Sequence, residues 1–257
     1  VAHQFPFLDH PLPLAFAHRG GASAGLENTM AAFERAVQLG YRYLETDARV
    51  TADGALVAFH DRRLARVTGR TGTLAGTTWA ELSRTKVAGT EAVPLLEDVV
   101  DRWPEHRFTI DVKTEAVIEP LIAMVRRTGI RDRICVGSFS GARLAKVRAA
   151  LGPRLCTSLA PREVLRLWRA SGWRPTGARG STPGVPCAQV PPRVGAITLV
   201  DRRLVDRAHA LGMQVHVWTI NDRARMNQLL DLGVDGLMTD DLLTLREVYS
   251  ARGLWFG

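Results

Sequence analysis

The sequence predicts a (β/α)8 TIM barrel, an α/β fold in one domain spanning residues 1–257, and three observations carry that expectation. Short β-like runs alternate with helix-period segments along the whole chain. The alternation counts eight of each, the number that closes a barrel. Histidines and acids sit where several of the runs end, and barrels of this kind carry their chemistry at those ends. A doubly wound open sheet is the runner-up.

The elements follow in order. Strand-like runs end near His18, Asp47, Val112, Phe139, Leu159, Val190, Trp218 and Thr239. Helical patterns follow over 28–39, 95–103, 115–128, 140–151, 161–171, 200–211, 222–232 and 241–250. Asn28 is expected to cap the first helix, Thr78-x-x-Glu81 matches a capping box, and Leu39-Gly40 and Leu211-Gly212 close helices. The stretch from Arg62 to Pro94 is long for a βα connection, and 171–186 reads as a Gly/Pro/Arg-rich loop. Loops of such length are functional or mobile. No repeat appears beyond the βα unit itself.

A chain of 257 residues with 46% hydrophobic residues can bury a large core, and no break in composition divides it. The formal charge is +8 and the pI about 10.2, with arginine supplying nearly all the cations: Lys86, Lys113 and Lys146 are the lysines. Such a surface favours anionic partners. No basic run is interleaved with aromatics, so nucleic acid is not among the expected partners. Cys135, Cys156 and Cys187 are far apart in sequence and form no CxxC pattern, which argues against a zinc site or a disulfide framework. No apolar run is long enough for a membrane span. The start of the chain lacks the layout of a signal peptide, so cytoplasm is the default expectation, with a removed leader left open because the first residue is Val1. Oligomeric state is not legible.

The run "YRYLETDARV" holds charges that a packed core does not need. Side chains alternate faces along a strand, so Leu44, Thr46 and Ala48 point toward the helices while Tyr43, Glu45 and Asp47 point into the barrel. Residues two apart are separated by about 6.6 Å, close enough for two carboxylates to reach one cation. "RFTIDVKT" repeats the design, with Asp111 and Lys113 inward. Three carboxylates in one restricted space repel, and each is costly to desolvate, unless a cation or a proton compensates. A hard divalent ion, Mg²⁺ or Ca²⁺, on an all-oxygen site is the expectation. A structural ion network neutralised by Arg and Lys is the bland alternative, and position at the barrel mouth weighs against it.

His18 and His60 each end an apolar run and each precede a charged residue. Neither lies in an H-x-H or HExxH pattern, so they read as proton carriers and not as metal ligands. Arg19 has the forked guanidinium that clamps a phosphate.

With these residues in place, the chain resembles the glycerophosphodiester phosphodiesterase family. The resemblance rests on "AHRGG", "ENTMAAFERAVQLG", "LETDARVTADGALVAFHDRRLARVTGRTG", "VPLLEDVV", "TIDVKT", "GSF" and "VHVWTINDRARMNQLLDLGVDGLMTDD", in that order and over nearly the whole chain. It implies a (β/α)8 barrel that uses a divalent cation to hydrolyse small-molecule glycerophosphodiesters to glycerol 3-phosphate and an alcohol. It places the catalytic pair on His18 and His60, the phosphate-binding arginine on Arg19, metal-binding acids on Glu45 and Asp47, and the motif lysine on Lys113. The third metal-binding acid of the family is usually glutamate. Here it is Asp111, shorter by one methylene, about 1.5 Å, which leaves the choice of metal open. Gln189 and Trp218 also fall at strand ends and are expected to line the mouth as substrate-binding groups, with packing an equal role for Trp218. Glu27 and Asn28 read as supporting and capping groups, and Asp240 as a cap of the last helix.

Three rivals remain in view. A related barrel phospholipase D acting on lysophospholipid or sphingomyelin would share the histidines and the Glu/Asp/Asp trio, but "WTIND" and "GLMTDD" weigh against it. A non-catalytic barrel binding phosphodiesters or lipid would not need every acid, base and metal position filled. An amidohydrolase-type metal enzyme would need a histidine pair that this chain lacks.

Overall fold

The computed structural model describes residues 4–11, 13–22, 25–171 and 184–256. The early strands are β1 (Leu14–Ala17), β2 (Tyr43–Val50), β3 (Leu56–Ala58), β4 (Lys86–Val87), β5 (Glu91–Ala92) and β6 (Arg107–Val112). After them come β7 (Ile134–Gly137), β8 (Cys156–Thr157), β9 (Cys187–Val190), β10 (Arg193–Val194), β11 (Ile197–Thr198), β12 (Gln214–Val217) and β13 (Gly236–Thr239). The helices are α1 (Met30–Gln38), α2 (Ala65–Thr68), α3 (Trp79–Leu82), α4 (Leu96–Arg102), α5 (Ile118–Thr128), α6 (Gly141–Leu151), α7 (Pro161–Ser171), α8 (Arg202–Ala210), α9 (Arg223–Leu232) and α10 (Leu242–Ala251).

The eight expected barrel strands are parallel neighbours in the order β8-β7-β6-β2-β1-β13-β12-β9. The ring closes between its ends through the parallel bridge Ser158↔Cys187 and the bond from Leu159 N to Cys187 O at 3.0 Å. Alternation along each strand sorts the side chains. Leu44, Ala48, Phe108, Ile110 and Val112 face outward into the buried layer shared with the helices. Tyr43, Phe16, Met238 and the three cysteines face inward, and Phe5, Phe7 and Leu8 pack against them. Tyr43 is the first residue of β2 and its hydroxyl donates to Phe7 O at 2.8 Å, so the N-terminal segment plugs the bottom of the barrel and leaves the opposite, C-terminal mouth for the site.

The run "TADG" turns β2 back on itself, and β3 pairs antiparallel with it, Ala48 opposite Ala58 and Val50 opposite Leu56. The long Arg62–Pro94 connection is not a bare loop. It carries α2, α3 and the β4–β5 hairpin over a separate buried cluster that includes Phe59, Leu64, Leu74, Leu82 and Val93. Burying those side chains offsets the entropy of ordering so long a connection. The capping box at Thr78 and Glu81 is present. Most of the 171–186 loop lies outside the described residues.

Two capping expectations are corrected. The first helix is capped by Thr29, whose hydroxyl accepts from Ala32 N, and not by Asn28. The last helix is capped by Asp241, which accepts from Thr244 N, and not by Asp240. In each case the neighbouring residue is drawn into the barrel mouth instead.

Candidate active site at the barrel mouth

β1 delivers His18 and then turns sharply. Arg19 has φ +52, Gly20 +78 and Gly21 +96. A Cβ on Gly20 would lie 2.9 Å from the backbone of Ala32 and Phe33, and one on Gly21 would lie 2.7 Å from Leu242, so the turn admits only glycine at both places. The turn aims the Arg19 backbone N–H at Glu45 Oε2, 3.0 Å away. It also lays the guanidinium between Glu27 (Nη1–Oε1 3.0 Å) and Asp47 (Nε–Oδ2 3.1 Å). Glu27 is held in turn by Arg66 from α2 at 2.6 Å, tying the long connection to the mouth.

β2 and β6 pair in register, with Asp47 opposite Asp111. Lys113 Nζ stands between the two, 2.7 Å from Asp47 Oδ1 and 2.5 Å from Asp111 Oδ2. Asn28, at φ +57, donates from Nδ2 to Asp47 Oδ2 at 2.9 Å and accepts from the Thr46 hydroxyl at 2.8 Å. Burial and the Asp47 charge push the Glu45 carboxyl up to about 7. Burial acts the same way on Asp47, but Lys113 and Arg19 outweigh it and hold that carboxyl low. For Asp111 burial outweighs the Lys113 contact and its pKa rises. Asp111 Oδ1 is buried with no hydrogen-bond partner. The acids are therefore under-compensated: one carboxyl sits near neutrality and one oxygen is orphaned. Such a donor set suits a hard cation.

The two histidines share one arrangement. His18 Nδ1 lies 2.6 Å from Asp240 Oδ1, and His60 Nδ1 lies 2.6 Å from Asp61 Oδ1. A carboxylate accepts, so each Nδ1 donates and each Nε2 is the atom left for other partners. Burial lowers the His18 pKa, but Glu45, whose Oε2 is 3.8 Å from Nε2, and the bond to Asp240 outweigh it and raise the pKa overall. Asp240 also accepts from Asn221 at 3.0 Å. Asp61 is drawn down to about 2: burial opposes ionisation, and hydrogen bonds from Arg66 and His60 outweigh it.

The nine side chains expected from the sequence to carry catalysis, metal or substrate binding (His18, Arg19, Glu45, Asp47, His60, Asp111, Lys113, Gln189 and Trp218) line one cavity of about 520 Å³ at the C-terminal ends of the strands. Gln189 reaches Thr109 (3.3 Å) and His216 (3.5 Å), and Trp218 packs edge-on to Phe139 with centroids 5.9 Å apart. Sequence reasoning missed the roles of Asp61 and Asp240; for Asn28 it named a supporting and a capping role, and the structure keeps the first, toward Asp47, and not the second. The signal was present in "ENT", "HDRR" and "TDD", where a polar residue beside a cap or a histidine was available to turn inward. The cysteines, remote in sequence, also converge below the cavity. Their sulfurs lie within 4.8 Å of one another, fully buried and not joined by a disulfide, with Cys135 and Cys187 Sγ 3.8 Å apart. Among the described residues this is the one such trio of metal-ligating type.

The model of the family described as glycerophosphoryl diester phosphodiesterase matches residues 18–244. A Mycobacterium tuberculosis protein named "Probable glycerophosphodiester phosphodiesterase 2" is 38% identical over 256 residues, 98% of this chain and 96% of that one. Two solved structures share the fold at low identity. An Agrobacterium tumefaciens glycerophosphodiester phosphodiesterase superposes with a TM-score of 0.76 at 22% identity, covering 93% of this chain and 100% of that chain. An Oleispira antarctica phosphodiesterase, solved with the product sn-glycerol-3-phosphate, gives 0.76 at 22%, covering 94% and 97%. No helix among the described residues is long and apolar enough to cross a membrane.

Proposed function

The chain belongs to the glycerophosphoryl diester phosphodiesterase family, and we propose that at this mouth it hydrolyses glycerophosphodiesters to glycerol 3-phosphate and an alcohol. The observation that carries the proposal is the meeting of two carboxylate-anchored histidines with three acids, two of them buried, and two cations in one cavity. Glu45, Asp47 and Asp111 would hold a divalent cation, Mg²⁺ or Ca²⁺, which supplies Lewis-acid neutralisation of the phosphoryl oxygens. Arg19 and Lys113 present N–H donors toward the same oxygens, where negative charge grows in the transition state. His18 and His60 hold or release a proton at Nε2, one taking it from the nucleophile and the other giving it to the leaving alcohol. Asp240 and Asp61 keep each ring in the orientation and tautomer that work requires. Asn28 steadies Asp47. Gln189 and Trp218 border the space left for the organic part of the substrate.

The test is release of glycerol 3-phosphate from glycerophosphocholine and glycerophosphoethanolamine with Mg²⁺ or Ca²⁺ present, followed by an enzymatic assay for that product. Turnover that depends on cation supports the proposal. No release from any glycerophosphodiester under either ion would sink it.

A further inference from the structure

Cys135, Cys156 and Cys187 play no part in the hydrolysis proposed above, yet the barrel brings them together in its interior, an arrangement that their spacing in the sequence does not announce. They stand two residues before Gly137, Ser158 and Gln189, which line the cavity, so alternation places all three sulfurs on the inward face one layer below the mouth. The Sγ atoms lie within 4.8 Å of one another, and those of Cys135 and Cys187 are 3.8 Å apart. With a Zn–S bond of about 2.3 Å, two sulfurs on a tetrahedral ion stand about 3.8 Å apart. One edge of the trio already has that length, and the others exceed it by about 1 Å at most.

A buried cysteine can serve as a small apolar filler, but a filler does not call for the polar groups beside this trio. His216 and Gln214 are buried inside the barrel, and His216 is a hydrogen-bond partner of Cys187. Gln214 Oε1 accepts from His216 Nε2 at 2.9 Å, and Gln189 Nε2 lies 3.5 Å from Nδ1, so Nδ1 keeps its lone pair. An imidazole whose other nitrogen donates to a carbonyl or carboxylate is the usual form of a metal-bound histidine.

The trio also spans the seam where the ring closes. β9 pairs with β12 along its whole length, but it meets β8, a strand of two residues, through the isolated bridge Ser158↔Cys187. Cys135 on β7 and Cys156 on β8 lie on one side of that seam and Cys187 on the other. The chain between Cys156 and Cys187 carries α7 and the Gly/Pro/Arg-rich stretch. An ion held from both sides would close that long loop, and metal clips across long loops are the ones expected to stabilise most.

We propose that Cys135, Cys156 and Cys187 form a structural Zn²⁺ site at the closure of the barrel, with the neighbouring His216 as the fourth donor. Each thiol that binds releases its proton to solvent. Soft sulfur donors select Zn²⁺ over the Mg²⁺ or Ca²⁺ proposed for the carboxylates above, so the two sites have opposite preferences one layer apart.

Reduced wild-type protein, kept from air and in saturating Mg²⁺, is titrated with Co²⁺, whose bonds to thiolate give a charge-transfer absorption in the near ultraviolet that oxygen ligands do not. The chain has three cysteines in all, so that band reports this trio alone. Because the trio is enclosed, Co²⁺ is offered both to the folded protein and during refolding from denaturant. The band should saturate at one Co²⁺ per chain and disappear when Zn²⁺ is added. A hundredfold excess of Zn²⁺ over Kd should raise the melting temperature by about 5–10 °C.

Cys156→Ala and Cys187→Ala should each abolish the Zn²⁺ shift, and His216→Leu should weaken Co²⁺ binding by about tenfold or more. Unchanged Co²⁺ affinity in that last variant would remove the imidazole from the site. The wild-type readings decide the matter whether or not a variant folds, and none of them uses turnover, so they stand or fall apart from the hydrolytic proposal. No charge-transfer band by either route of loading, or no rise in melting temperature with Zn²⁺, would overturn the site and leave the cysteines as core fillers.

Discussion

Replacing Asp240 with alanine isolates a contact that only the fold reveals. Asp240 Oδ1 accepts from His18 Nδ1 at 2.6 Å, and its other oxygen is fixed by Asn221 at 3.0 Å. The ring is mostly buried, so water is a poor substitute for the lost carboxylate. A hydrogen bond to a charged group contributes about 1.5–3 kcal/mol, and tenfold in rate corresponds to about 1.4 kcal/mol. Asp240→Ala is therefore expected to lower kcat by about 10- to 150-fold, with KM nearly unchanged because the residue positions His18 and does not meet substrate. The pH dependence has a definite sign. Glu45 and Asp240 together keep the His18 pKa raised against burial, so losing Asp240 must lower it. The limb of the rate profile that reports His18 should move to lower pH, while Asn221→Ala, which spares the His18 contact, should move it less. The assay is kcat and KM for glycerophosphocholine across the histidine range, with the melting temperature measured in parallel. A variant within about twofold of wild type whose limb has not moved would refute the positioning role.

His18→Ala and His60→Ala should each cost ~10²–10⁴-fold in turnover, and the double variant little more than either alone, because residues acting as a unit fail together. A p-nitrophenyl phosphodiester, whose leaving group needs no proton, should rescue only the variant lacking the general acid; equal rescue of both would leave the two-proton scheme without support. Chelation should abolish turnover and Mg²⁺ or Ca²⁺ restore it. The ion should raise the melting temperature by stabilising the folded state about 2.7 kcal/mol at a hundredfold excess over Kd, an effect Glu45→Gln should shrink; an undiminished shift would locate the ion elsewhere. Asp61, drawn down to about 2 in the folded state against an ordinary value near 3.9, contributes stability present above pH ~4 and lost as pH falls toward 2. Asp61→Asn should remove part of the acid-induced loss of melting temperature in that window, and an identical acid profile in the variant would count against the contact.

The sequence by itself determined the barrel and most of the mouth. Strand and helix periods are local, so eight strands could be counted and the inward face of β2 and β6 assigned without any tertiary contact. Because that inward face carries Glu45, Asp47, Asp111 and Lys113, the charged end of the cavity followed from alternation alone. Tertiary structure decided what depends on contacts remote along the chain. Asp240 reaches His18 across 222 positions because β13 and β1 are neighbours in the closed ring. Asn28 leaves the capping position one residue before Thr29 because a positive φ turns its amide toward Asp47. The cysteines meet because β7, β8 and β9 lie side by side around the closure, which no spacing pattern encodes. The apolar side of the mouth also escaped the sequence. Val194 and Ile197 share one cavity with Val164, Leu165 and Trp168 of α7 only in the fold, because closure of the ring brings distant segments to one mouth.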